Sequence, residues 1–152
     1  MARSLWAGVV YFAGVFALGF ALGVVRALVT SPRLGETAAV LLEIPVILAA
    51  SWFAAKWCVA VCSVPSGGAE RLTMGFVAFS LTMLAELLLS VMLFGQTVRE
   101  HFATYAHFLG LIGLAAQALF AIFPYVQSAR REVRPGSGSR DGNERQASDP
   151  NF

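Results

Sequence analysis

The chain has 152 residues, 57% of them hydrophobic and only 13% charged, with a mean hydropathy of +0.69. Soluble domains of this size carry roughly 45–50% apolar and about 25% charged residues, so a water-facing globular fold is excluded and the length allows one domain. The 11 Lys+Arg against 9 Asp+Glu leave a formal charge of +2, too small to suggest nucleic-acid binding.

The apolar residues are bunched into four blocks, each near the ~20 residues that a membrane-spanning helix needs. These runs do not alternate as the strands of a closed barrel would, so all four are helical. The reading is an all-α, integral-membrane four-helix bundle over 1–126, with helices at about 5–25, 36–62, 71–95 and 102–126. The first block, Leu5 to Val25, is uncharged and follows the short basic start Met1-Ala-Arg-Ser. Its length exceeds the ~7–15 residues of a secretory h-region, so it is read as a retained signal-anchor helix.

A polar turn, Thr30-Ser-Pro-Arg-Leu-Gly35, leads to the second block, where Glu36 suits the positive N-terminal end of a helix. That block also holds Glu43, Pro45 and Lys56. Pro65-Ser-Gly-Gly68 breaks the chain before the third block, whose internal charge is Glu86. Gln96 to His101 reads as a short polar connection, and the fourth block runs from Phe102 to Val126. Residues 127–152, rich in Arg, Gly, Ser, Asp, Glu and Asn, read as a disordered polar tail, because they cannot bury enough surface to offset their ordering entropy.

Four spans put both termini on one side of the membrane, together with the loop between the second and third helices. That side carries Arg3, Arg71, Arg130, Arg131 and Arg134 near helix ends, against Arg26, Arg33 and Arg99 on the other. The excess predicts cytoplasmic termini.

At 100° per residue, Gly75, Phe79, Thr82, Glu86 and Ser90 share one face of the third helix. Glu36, Ala39, Val40, Glu43, Ile47, Ala50 and Ala54 share one of the second. Gly8, Phe12, Val15, Gly19, Gly23 and Arg26 align on the first helix, and Gly110, Gly113, Gln117, Ala121 and Pro124 on the fourth. Small residues let membrane helices approach closely, so Gly19, Gly23, Gly110 and Gly113 are expected at packing seams.

An acidic side chain at a helix centre costs on the order of 3 kcal/mol of insertion free energy and often marks function. Glu43 and Glu86 fall at similar depths below the end opposite the termini. Arg26 and His107 are expected to share that region. This candidate polar cluster reads either as a structural knot or as a group that binds protons or cations. Pro45, two residues after Glu43, removes a backbone hydrogen bond and can kink the helix.

No Walker loop, G-x-S-x-G or HExxH occurs, and no nucleophile or metal-ligand set is apparent, so no enzyme activity, metal or cofactor is expected. Cys58-x-x-x-Cys62 lacks further Cys or His partners, and His101 and His107, six residues apart on one helix, cannot clamp a haem from both faces.

The stretches Ser31-Pro-Arg-Leu-Gly-Glu-Thr-Ala-Ala-Val-Leu-Leu-Glu-Ile-Pro-Val-Ile-Leu-Ala-Ala-Ser-Trp52 and Arg71-Leu-Thr-Met-Gly-Phe-Val-Ala-Phe-Ser-Leu-Thr-Met-Leu-Ala-Glu86 resemble a family of small four-helix bacterial inner-membrane proteins without a known activity. The resemblance covers about residues 5–126 and implies an inner-membrane, multi-pass setting. It supplies no site. Small multidrug-resistance carriers share size and span count, but their glutamate lies in the first helix, which is uncharged here. The expectation is a self-associating or accessory membrane subunit, with the lipid bilayer and a homo-oligomer or other membrane subunits as partners. The alternative is a small proton- or cation-coupled transporter using the intramembrane glutamates.

Overall fold

A computed structural model describes the backbone of residues 1–132 and the side chains of 1–129; the expected disordered tail beyond Glu132 lies outside the described residues. The chain forms α1 (Ala2–Val25), a π-helical segment (Arg26–Thr30), α2 (Ser31–Leu34), α3 (Glu36–Val61), α4 (Gly68–Met92), α5 (Val98–Thr104) and α6 (Phe108–Glu132), with no strand among the described residues. Four helices are long and apolar enough to cross a membrane: Ala2–Leu34, Glu36–Val61, Gly68–Met92 and Phe108–Ala129. Large side chains such as Leu5, Trp6, Phe53, Phe76 and Leu111 point outward, while the buried positions are mostly small. That inversion of the water-soluble pattern suits lipid, where outward apolar groups cost nothing and small residues bring backbones together.

Several boundaries differ from the sequence expectation, α4 lying at 68–92 where 71–95 is expected. The polar turn at 30–35 is helical up to Leu34. The π-segment widens the helix just before Pro32, which has no N–H to offer, and the chain reverses at Gly35 alone, whose φ of 81° glycine adopts without strain. The connection before the last span contains α5, and the span itself starts at Phe108. The cause is a capping box: Thr97 accepts from the Glu100 backbone N–H, and the Glu100 carboxylate accepts from that of Thr97. These bonds hold the Glu100 carboxyl below its ordinary range, so the cap is complete above that range and is lost as pH falls through the lowered value. Finally, α6 continues to Glu132, six residues past the expected helix end at Val126.

Each long helix packs against two others, α1 and α6 each lying against both α3 and α4. Sequence neighbours α3 and α4 are therefore diagonal, and the Cys62–Gly67 connection crosses the bundle end. Arg71 secures it by donating to the carbonyls of Pro65 (2.9 Å) and Val64 (3.5 Å).

Packing is uneven along the bundle. In the half near the termini, Ser4, Ala7, Gly8 and Tyr11 of α1 meet Ser51, Ala55 and Cys58 of α3 and Met74, Gly75 and Ala78 of α4, with Phe120, Pro124 and Gln127 from α6. Beyond Tyr11, α1 buries nothing more, and α4 buries nothing between Ala78 and Ser90.

Two backbone approaches make the tight half. A Cβ on Gly8 would meet the Met74 carbonyl oxygen and Val77 Cβ at 2.8 Å, and one on Gly75 would overlap the Ala121 carbonyl. Tyr11 bolts the middle of the bundle. Its hydroxyl lies 3.0 Å from the Phe120 carbonyl and 3.2 Å from that of Ser51, linking α1 to both α6 and α3. The Phe120 oxygen is free because residue 124, its normal partner four residues on, is proline.

Candidate functional site

Above Tyr11 the four helices part around a cavity of about 600 Å³, within the range of small-molecule sites. Its walls are mainly apolar, with Val15, Phe16, Phe20, Ile44, Ile47 and Phe120 among them. Polar groups converge from two sides. Arg26, Glu36 and Glu43 line it from α3 and the π-segment, while Thr82, Glu86 and Gln117 line it from α4 and α6.

On the first side, Arg26 Nε lies 3.0 Å from Glu43 Oε2, an ion pair without a well-aligned hydrogen bond. Arg26 opens the π-segment, where the wider helical turn re-aims side chains. Such π-segments occur often at functional sites. Glu43 stands seven residues into α3, roughly 10 Å below its N-terminal end. Pro45 follows within a helix that continues unbroken to Val61.

On the second side, Glu86 stands six residues before the end of α4, roughly 9 Å below it. Its Oε1 accepts from Gln117 Nε2, and its Oε2 accepts from the Tyr105 hydroxyl at 3.2 Å. Tyr105 OH also lies 3.2 Å from His101 Nε2, and the rings of His101 and Tyr105 meet edge to face. Burial, and next to it the Glu86 carboxyl, push the Tyr105 phenol up to about 12, so it stays a protonated donor at any physiological pH.

The structure thus brings Arg26, Glu43 and Glu86 to one cavity and leaves His107 out of it. His107 is exposed in the turn between α5 and α6, because the last span begins one residue after it, and is absent from the lining. His101 reaches Glu86 instead, through Tyr105. The available signal was Thr97-x-x-Glu100, which starts a helix and places residues 101 and 105 one turn apart on one face.

The four glycines also divide differently. Gly23 and Gly113 have nothing within 4 Å of an added Cβ, Gly19 meets Ile47 at an ordinary 3.7 Å, and all three line the cavity. They hollow the bundle where a close seam was expected. Of the four, Gly110 alone is tightly packed, against the Thr104 carbonyl. The expected close approach occurs at Gly8 and Gly75, lower in the bundle. Gly23→Leu should therefore insert and fold as the wild type does, with a melting temperature equal or slightly higher, while reducing the cavity.

No protein family, curated protein or solved structure matches the chain. Among the described residues, no group of three or more His, Cys, Asp or Glu could hold a metal ion.

Proposed function

We propose that this chain is a small proton- or cation-coupled carrier, in which Glu86 changes protonation as a small ligand enters or leaves the cavity. The observation that carries the reading is the pairing of Glu86 with Gln117 on the cavity wall. An amide serves either state of a carboxyl: its NH2 donates to a carboxylate, and its oxygen, after rotation about the last bond, accepts from a carboxylic acid. Gln117 Oε1 is buried without a donor, so the second arrangement supplies a partner that the first lacks. Across the cavity the Glu43 charge is balanced by Arg26.

The setting proposed is the inner membrane of a bacterium, as the family resemblance implies, with both termini in the cytoplasm. The cavity then opens in the half of the bundle facing away from the cytoplasm. A cavity of about 600 Å³ within one chain has room for a small ligand.

The test is a set of melting curves in detergent for wild type, Glu86→Gln and Glu43→Gln across about pH 5–8. Glutamine keeps the shape and freezes the group neutral. Glu86→Gln is expected to flatten the pH dependence, more so than Glu43→Gln, without unfolding the bundle. Superimposable profiles for all three proteins would overturn the carrier reading and leave the self-associating or accessory subunit.

A further inference from the structure

We infer that His101 and Tyr105 form a proton path to Glu86 that enters from the membrane surface through α5 and bypasses the cavity. The inference rests on the reading of Glu86 as the cavity's proton-exchanging group and adds the route by which that proton travels.

The three groups are consecutive in hydrogen-bond distance, with His101 Nε2 3.2 Å from the Tyr105 oxygen and that oxygen 3.2 Å from Glu86 Oε2. The chain is directional in space. His101 belongs to α5, outside the spans, while Glu86 belongs to a span. Although His101 is only 8% exposed, its Nδ1 carries no hydrogen bond and is not among the atoms closed off from the surface. Neither His101 nor Tyr105 lines the cavity, whereas Glu86 does, so the carboxyl meets the cavity on one side and the relay on the other.

The transfer balances without any other reactant. The imidazolium of His101 gives its Nε2 proton to the Tyr105 oxygen while the Tyr105 hydroxyl proton passes to Glu86 Oε2. His101 ends neutral, Tyr105 unchanged and Glu86 a carboxylic acid. The reverse sequence discharges it. The phenol never ionises, in keeping with its raised value.

Among the described residues, no other charged group intervenes. From α1 and its π-segment the only charge lining the cavity is Arg26, and from α3 the lining charges are Glu36 and Glu43. Arg99 and Glu100 of α5 are exposed, and no charged residue of α6 lines the cavity. A separate proton path matters because a ligand in the cavity would displace the water that could otherwise carry the proton.

The test is time-resolved infrared spectroscopy after a pH jump on the purified protein in detergent. The carboxylic C=O band of Glu86 is identified by its loss in Glu86→Gln. Gly23→Phe adds a ring at a residue that lines the cavity and has open space around its Cβ, and serves to block the cavity; Tyr105→Phe cuts the path. Gly23→Phe alone should protonate Glu86 at close to the wild-type rate. The double variant should be slower by about tenfold or more, as expected when a positioned proton donor is removed. If the double variant keeps the wild-type rate while the band still titrates, the relay is overturned and the carrier reading stands. If no Glu86 band titrates in the wild type, the carrier reading falls and the relay with it. Should Tyr105→Phe fold poorly, His101→Gln in the Gly23→Phe background gives the same comparison, because it removes the imidazole end of the path and keeps the phenol.

Discussion

Gly75→Ala should cost about 3 kcal/mol or more, or prevent folding, because its methyl group would overlap the Ala121 carbonyl, and backbone cannot yield as a side-chain tip can. The effect should appear as loss of the cooperative melting transition in detergent, or as protein lost on solubilisation. Gly8→Ala, whose nearest obstacles are the Met74 carbonyl oxygen and Val77 Cβ at 2.8 Å, needs a smaller shift and should cost less. Gly14→Ala is the internal control. Nothing lies within 4 Å of its added Cβ, and alanine favours helix over glycine by about 1 kcal/mol. It should be neutral or stabilising. A Gly75→Ala protein that melts like the wild type would mean that α4 and α6 are not in backbone contact.

The second large effect is expected at Tyr11. Tyr11→Phe keeps the ring against Phe120, at a centroid distance of 4.7 Å, and removes only the hydroxyl. The Ser51 carbonyl still has its helical partner, but the Phe120 carbonyl has none, because Pro124 cannot donate. Leaving that buried oxygen bare should cost about 1–3 kcal/mol. The same argument fixes the sign of a coupling. In a Pro124→Ala background the backbone N–H restored at that position can take the Phe120 oxygen, so Tyr11→Phe should cost clearly less there. Additive effects in a double-mutant cycle of melting free energies would refute the link between the missing N–H and the tyrosine.

What could be read from the sequence depended on the kind of signal. The spans were legible because bilayer thickness demands long apolar runs whatever else the chain does. The faces bearing Glu43 and Glu86 were legible because a charge in lipid has few places to go. Tyr11 was not, since an aromatic residue inside an apolar run reads equally as a lipid contact. Only the position of Pro124 on another helix, unknowable without the packing, gives its hydroxyl a purpose. Gly19, Gly23 and Gly113 depart from the expected seam for a related reason, while Gly110 packs closely as expected. Absence of a side chain permits close approach and permits an opening, and Gly75 and Gly23 use the two options at different heights of the bundle. His101 and Tyr105 are harder to find because His101 falls in a stretch that reads as a polar connection and Tyr105 in one that reads as the last span, although the capping box at Thr97 marks a separate helix.

The division of the bundle at Tyr11 separates the residues that specify the fold from those that shape the cavity. Below it, glycine-to-carbonyl contacts leave little freedom for substitution. Above it, the walls touch a ligand-sized space more than they touch each other. In the carrier proposed, changes at Val15, Phe16, Ile44 or Ile47 would alter which molecule fits without loosening Gly8 or Gly75. Such an arrangement would be evolvable: one half holds the architecture constant while the other is free to diversify its specificity.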